Sequence, residues 1–399
     1  MMMKPKSEIL SVDDPTRGRD ASLLEPMSVV VIDNVDILED YVEAWEKLAV
    51  EALEPNPFYE PWMLIPALRT QSTGKDLCVV LVLTVNEGEP VLCGVFPLEK
   101  KQRYKKLPLA AYSLWQHIYS PLCTPLIRVS RARECIDAFL DWLASQSECA
   151  LMDFNLVSGD GPFNKLLNEC LAARNAASLE GASHRRAVLR PKESADTYLR
   201  AAQSREHRKD LRRRKRRLSE LGQLEFSSLE ATGDVDAWLD EFLQLEASGW
   251  KGTSGGAFAC IEANRSYFVS ITKAAFARGR LSMLAVRLDG KPIAMKCNFI
   301  AEPGSFAFKI AFDENFAAYS PGVLLEIENI GHFHSQQSVE WMDSCAIPDH
   351  PMIDRLWLDR RMITSLLIPT GRKAGELVIS TLPLMRSLNR RLRQLHVRG

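Results

Sequence analysis

Apolar positions in this chain come in two periods. Leu281 to Leu288, Ile293 to Ile300 and Phe306 to Phe312 are β-like runs, separated by Asp289-Gly290-Lys291-Pro292 and Pro303-Gly304-Ser305. Runs of that length bounded by Gly and Pro predict a three-strand meander. Asp313 to Gly322 then leads into Val323-Leu324-Leu325-Glu326-Ile327, with Ser320 placed as an N-cap and Pro321 as the first helical residue. A strand that hands the chain to a helix start brings unpaired backbone N–H groups to a sheet edge, an arrangement able to hold a phosphate or an oxyanion. Any α/β protein has such junctions, so the pattern alone does not assign a site.

Earlier in the chain the same two periods recur. Val29 to Ile32 predicts a short strand, and Leu38, Tyr41, Val42, Trp45 and Leu48 a helix. Phe58 to Leu68 reads as another helix. Leu77 to Val85, a turn at Asn86-Glu87-Gly88-Glu89, and Val91 to Pro97 read as a hairpin. Leu107 to Ile127 reads as a long aromatic loop. Cys135 to Leu143 predicts a helix, Leu151 to Val157 a strand, and Phe163 to Cys170 a further helix. The spacing of the first helix returns in Val235, Trp238, Leu239, Phe242 and Leu245, 197 residues on, and the proline of the first hairpin, Pro90, returns as Pro292, 202 residues on. Order and offset together predict a duplicated domain, with the seam between Ala172 and Arg200.

Composition narrows the class. At 399 residues, 46% apolar and 25% charged, the chain has the makeup of a two-domain globular protein, and a formal net charge of −1 commits it neither to DNA nor to a membrane. Its nine cysteines form no CxxC pair or Cys/His cluster, so no metal site is expected and a reducing cytoplasm fits. No run reaches transmembrane length, and Met1 to Pro26 reads as a disordered leader. One stretch departs from this balance. Between Arg205 and Arg217 nine Lys and Arg face two acids, a local charge of +7, on a helix capped by Ser204 and stopped by Gly222. It is a solvated face, a patch for phosphate groups, or a nucleic-acid contact; the absence of an interleaved aromatic counts against the last. A second basic stretch, Arg386 to Gly399, reads as a helix of undecided role.

Asn56-Pro57-Phe58, Pro97-Leu98, the Ser204/Arg208/Arg212 helix, Leu288-Asp289-Gly290-Lys291-Pro292-Ile293-Ala294, Lys309 with Asp313, and Ser320-Pro321-Gly322-Val323-Leu324-Leu325 carry a resemblance. Over most of Val29 to Pro369 the chain resembles tandem-domain acyltransferases of the GNAT superfamily, in the group with CelD-like cellulose-biosynthesis and FemAB-like proteins. The resemblance implies an α+β fold of two GNAT-like domains, each a mixed, mostly antiparallel sheet flanked by helices. The expected division is a leader at 1–27, domains at 28–180 and 181–370, and a basic tail at 371–399. It implies acyl-CoA as co-substrate, no tightly bound cofactor, and a small-molecule, saccharide or peptide acceptor, offering an amine or hydroxyl, in the groove between the domains. The FemAB branch implies a charged tRNA as donor instead. A catalytically degenerate scaffold and a homodimer both stay open.

Transfer from a thioester requires two substrates held close, a proton acceptor and oxyanion donors. Asp313 and Asp343 follow strands and are candidates to take the acceptor's proton; a structural cap is the alternative for each. Tyr319 is a candidate proton donor to the leaving thiolate, or a packing residue. Lys309 within its strand, Glu246 before Gly249-Trp250, and more weakly His350 complete the catalytic candidates. Ser320, Gly322 and Val323 at the helix start, with Arg208 and Arg212, are the donor-binding candidates. The helix start has a single glycine, and Glu326 and Glu328 just inside it are placed to offset its dipole.

Overall fold

Hydrogen-bonded pairing decides how the predicted strands assemble, and it does so twice in the same order. The computed structural model describes residues 25–382; the leader up to Leu24 and the arginine-rich stretch from Arg386 lie outside the described residues. The first part of the chain runs β1 (Ser28–Ile32), α1 (Val42–Val50), α2 (Pro61–Gln71), β2 (Leu77–Asn86), β3 (Glu89–Lys101), β4 (Ala111–Leu114) and β5 (Leu126–Ile127). It continues through α3 (Ala132–Ser145), β6 (Leu151–Ser158), α4 (Pro162–Ala173) and β7 (Leu179–Leu189). The second part opens with α5 (Ala195–Ala202), α6 (Arg205–Ser219), β8 (Leu224–Ser228), α7 (Val235–Ser248), α8 (Trp250–Thr253) and α9 (Glu262–Ala277). The meander β9 (Leu281–Leu288), β10 (Lys291–Ala301) and β11 (Gly304–Phe312) follows, then α10 (Pro321–Ser335), β12 (Trp341–Asp343), α11 (Ile353–Leu356) and β13 (Asp359–Pro369).

Two compact units result, and neither is one continuous piece of chain. The first holds 25–61, 74–184 and 362–382; the second holds 62–73 and 185–361. In the first, the strand order is β1-β2-β3-β4-β6-β13 and only β4 and β6 are parallel. In the second, the order is β8-β9-β10-β11-β12-β7 and only β11 and β12 are parallel. Each unit is therefore a mixed, mostly antiparallel sheet flanked by helices, as expected. Its last strand comes from the end of the opposite half of the chain: β13 closes the first sheet and the end of β7 the second.

Local chemistry accounts for the elements read correctly. The two hairpin turns place Glu87 and Gly88 at φ 53° and 85°, and Asp289 and Gly290 at φ 50° and 77°. These left-handed pairs match the right-handed twist of the flanking strands. Two stretches differ from expectation. Within the aromatic Leu107–Ile127 loop the chain forms β4 and β5. The four residues of β4 are all buried, bonded antiparallel to β3 and parallel to β6. At the seam, where no element was expected, the chain forms β7 and α5. Only the last four residues of β7 are buried, and Met342 and Asp343 of β12 pair with Leu189 and Val188. Both strands are too short or too polar to show a period, and their partners are distant in sequence.

In the second unit α10 lies over the sheet. Leu324 and Leu325 join Leu284, Val286 and Ile293 in one apolar cluster, while Ile330 and Phe333 join Leu189, Met342 and Trp357 in another. Beneath it Glu326 is fully buried, and its carboxylate takes Lys296 Nζ at 2.7 Å, Trp357 Nε1 at 2.9 Å and Asn329 Nδ2 at 3.0 Å. This corrects the expectation that Glu326 offsets the helix dipole. It bolts α10 to β10.

Candidate active site

β12 pairs with β11 only from Gly304 to Phe306. From Ala307 to Phe312, β11 has β10 on one side and no strand on the other among the described residues. Parallel strands that separate in this way leave backbone groups unpaired inside the fold, and something else must satisfy them. One is taken by Lys251, whose Nζ donates to the carbonyl of Ile310 at 3.1 Å. A bulge adds to the irregularity. Cys297 faces Lys309 and Asn298 faces Ala307, so Phe308 is an extra residue on β11. Neighbouring side chains then approach the same ring: Phe308 stacks on Phe258 at 6.3 Å, and Lys309 Nζ lies 5.1 Å from the same centroid. Regular alternation would send them to opposite faces.

The end of α7 meets this open edge. Glu246 is 3% exposed; its carboxylate accepts from the backbone N–H of Phe258 at 2.9 Å and from Lys251 Nζ at 3.2 Å. The one-turn helix α8 is set by close contact. A Cβ on Gly252 would lie 1.8 Å from the carbonyl oxygen of Ala247, so only glycine allows the turn back onto α7. Trp250 N–H donates to Glu314 Oε1 at 2.8 Å, which pins α8 to the segment after β11. A cleft of about 240 Å³ results, with Glu246, Trp250, Lys251 and Glu314 on its polar side, Ile310 to Phe312 along the strand edge, and Gly322 and His350 completing it.

Electrostatics in this region are set by burial. Partial burial, and then the nearby Lys251 charge, bring the Lys309 ammonium down to a pKa of about 8, with Glu246 opposing the shift. Burial also lowers the pKa of His350, against the pull of Asp354. His350 Nδ1 accepts from Ile353 N–H at 3.3 Å, which leaves the proton of the neutral ring on Nε2. The cleft therefore combines a carboxylate, an ammonium, a neutral imidazole and, beside it, an amine that loses its proton near neutrality.

Of the residues selected from sequence, Glu246, Gly322 and His350 line one cleft, and Lys309 neighbours it through Phe258. The others have different surroundings. Asp313 caps the short turn after β11, accepting from Asn315 N–H at 2.9 Å. Asp343 is fully buried, with Arg361 Nη1 at 3.1 Å and Cys345 N–H at 2.7 Å on its carboxylate. Tyr319 packs against the Leu284–Leu324 cluster and Val323 against the Ile330–Phe333 cluster. Ser320 does not cap α10, contrary to expectation. It sits at φ 55°, ψ 52° with no side-chain cap, and its hydroxyl accepts from Arg214 Nη1 at 2.7 Å. The N–H groups of Val323 and Leu324 turn onto its carbonyl, and Pro321 has none, so most of the donors expected at this helix start are spent within the turn. Arg208 and Arg212 line a separate groove against the flank of α10. Lys251, Trp250 and Glu314 escaped the sequence reading, since an ordinary glycine-rich stretch carries two of them and only the fold brings it to β11.

Comparison with known proteins bears on this geometry. Residues 205–350 match the acetyltransferase (GNAT) domain, and the match spans the cleft, α6 and α10. Residues 205–350 thus carry a GNAT-type acetyltransferase domain. Among solved structures, FemX shares the fold at a TM-score of 0.54 and 12% identity, over 85% of this chain and 98% of that one. A conserved protein of unknown function from Bacteroides thetaiotaomicron VPI-5482 does so at 0.50 and 10%, again over 85% and 98%. A comparison with curated protein sequences gives no match. Within the GNAT domain no group of three or more His, Cys, Asp or Glu side chains among the described residues is placed to hold a metal, and no described helix is long and apolar enough to cross a membrane.

Proposed function

We propose that the cleft transfers an acyl group from acyl-CoA, acetyl in the simplest case, to an amine or hydroxyl acceptor. The observation that supports this reading most is the convergence of Glu246, Lys251, Lys309 and His350 on the open edge of β11. In the proposed sequence neutral Lys309 takes the acceptor's proton as its nitrogen or oxygen attacks the carbonyl carbon. The oxyanion that forms is met by the Lys251 ammonium and His350 Nε2–H. The carbon–sulfur bond then breaks, and the proton held on Lys309 passes to the thiolate. Glu246 holds Lys251 in place. Arg208 and Arg212 on α6 hold the phosphates of the donor, a task the turned-in donors at Ser320–Leu324 are poorly placed to perform. The cysteines, mostly buried and none in a disulfide among the described residues, suit the cytoplasm.

A second donor has its own supporting observation. The basic residues of α6 run from Arg205 to Arg217, about 18 Å at 1.5 Å per residue, which exceeds the reach of one pyrophosphate and suits the backbone of a charged tRNA. One experiment separates the two. Acyl transfer is followed with CoA esters and with aminoacyl-tRNA as donors, on the parent chain and on Arg212→Glu/Arg216→Glu, between 50 and roughly 200 mM salt. With CoA esters as donors, the reversal raises KM about tenfold at unchanged Tm, and salt reproduces part of the loss. A steep salt slope with tRNA alone moves the assignment to the second donor. No transfer from either donor rejects the enzyme.

A further inference from the structure

Three walls of the cleft lead to one carboxylate behind them. Gly322 at the start of α10 lies one turn from Glu326, on the same face of that helix. Ile310 on the open edge of β11 is the cross-strand partner of Lys296, whose ammonium holds Glu326 at 2.7 Å. The third wall, His350, reaches the same carboxylate through α11. Glu326 itself is fully buried and does not line the cleft.

The loop that carries His350 has little hold of its own, since Ile347, Pro348, Asp349 and Pro351 are exposed. Its imidazole is fixed by α11: Ile353 N–H donates to Nδ1 at 3.3 Å and Asp354 N–H to the His350 carbonyl at 3.0 Å. With four residues, α11 is too short to keep its place by its own backbone bonds. Ile353, Leu356 and Trp357 sink into the apolar cluster under α10, which sets the depth of the helix but, being non-directional, not its rotation. Direction comes from the residues that follow. Trp357 N–H closes the helix on the Ile353 carbonyl at 2.8 Å, and its indole Nε1–H donates to Glu326 Oε1 at 2.9 Å, a charge-assisted bond inside the core. Tyr198 Oη takes the next N–H, that of Leu358, at 2.8 Å and holds the chain beyond the helix.

We propose that Trp357 is a positioning residue for the cleft: through its bond to Glu326 it fixes α11, and so keeps His350 with Nδ1 on Ile353 N–H and the ring proton on Nε2. The proposal rests on the acyl-transfer reading, in which Nε2–H meets the oxyanion. Once α11 turns and Ile353 N–H leaves Nδ1, the proton divides between the two nitrogens and that donor is lost for part of the time. What the arrangement requires of Glu326 is an acceptor at Oε1, and not its charge. Burial is the main cause of the low His350 pKa; after Asp354, Glu326 raises it and Lys296 lowers it, so neutral side chains at both positions leave that balance nearly unchanged. Glu246, Lys251 and Glu314 face the ring across the cleft and stay the same throughout.

The test reads the imidazole directly, so that it does not depend on turnover. Nitrogen-15 spectra of the intact chain, with His350 assigned by its loss in His350→Asn, report the tautomer above the pKa of the ring, and steady-state kinetics are run on the same proteins. The parent and Lys296→Met/Glu326→Gln, which keeps an acceptor for the indole, should hold His350 as a single Nε2–H tautomer. Trp357→Phe should show both tautomers and lose kcat roughly ten- to a hundredfold at unchanged KM. Should Trp357→Phe not fold, Lys296→Met/Glu326→Met decides, because it removes the same two charges and the acceptor as well, and should behave as Trp357→Phe does. A single tautomer in the variants that lack the bond, or both tautomers in Lys296→Met/Glu326→Gln, overturns the positioning role while leaving the acyl-transfer reading to its own assay. The expected tautomers with no transfer from any donor keep the positioning role and reject the reaction.

Discussion

Replacing Lys309 with methionine should make the protein more stable at neutral pH. The Lys309 ammonium has its pKa brought from an ordinary 10.5 to about 8, first by burial and then by Lys251. Each unit corresponds to 1.36 kcal/mol, so holding the charged form in the fold costs about 3 kcal/mol. The cost is fully present below pH 8, where the residue is protonated in both states. Between pH 8 and 10.5 the unfolded chain binds a proton that the native state does not, so stability rises with pH, and above 10.5 the cost is gone. Methionine keeps much of the contact with Phe258 and Phe308 but loses the cation–π attraction, which lies at 5.1 and 5.7 Å and is worth about 0.5–2 kcal/mol. The net gain at pH 7 is thus about 1–2 kcal/mol. Urea unfolding of both proteins from pH 6 to 10 measures it. Other groups titrate in this window as well, but they cancel in the difference between the two proteins. A variant that is less stable at pH 7, with a deficit that does not change up to pH 10, refutes the burial argument. The same substitution should abolish acyl transfer, and in the parent chain the rate should rise with pH through about 8, as the amine becomes a base.

Two further substitutions probe the supports of the cleft. Glu246→Gln removes the charge that holds Lys251 and accepts from Phe258; it should cost about 1–3 kcal/mol of stability. Because Glu246 holds the Lys309 pKa up, the rising limb of the pH–rate profile should also move to lower pH, a shift that mere loosening of the fold does not produce. Lys296→Met strands the fully buried Glu326 and should cost about 3–5 kcal/mol by urea unfolding. Adding Glu326→Met should recover only part of it, since Trp357 and Asn329 then lose their acceptor; a single substitution costing under about 1 kcal/mol contradicts the role given to this pair.

Much of the fold was legible because its signals are local. The β9–β11 meander shows in its turns, where Asp289-Gly290 takes the left-handed conformation a tight hairpin demands. The basic helix shows in Ser204, which accepts from His207 N–H at 3.1 Å as an N-cap should. Glu246 and Gly322 drew notice at a helix end and a helix start, Lys309 as a charge within a strand and His350 as a loop residue between prolines. Nothing local distinguished them from Asp313, Asp343 and Tyr319, because a carboxylate that caps a turn and one that faces a cleft look alike in a sequence. Their separation depends on neighbours 18 to 30 positions away or more, such as Arg361 on Asp343 and Lys296 on Glu326.

Periodicity, turn residues and the capping serine determined by themselves that this chain makes strands and helices in a repeated order, with one helix of dense positive charge. Those properties follow from backbone sterics and from the spacing of apolar side chains, which act within a few residues. The tertiary structure alone decided that β13 and the end of β7 each close the sheet of the opposite half, that β11 and β12 separate after three residue pairs, and that a bulge at Phe308 sets Lys309 beside Phe258. It also left the buried side-chain Nε2 of Gln203 without a hydrogen-bond partner. Each of these depends on which distant segment supplies the hydrogen bond or excludes the water, and no local pattern in the sequence encodes that choice.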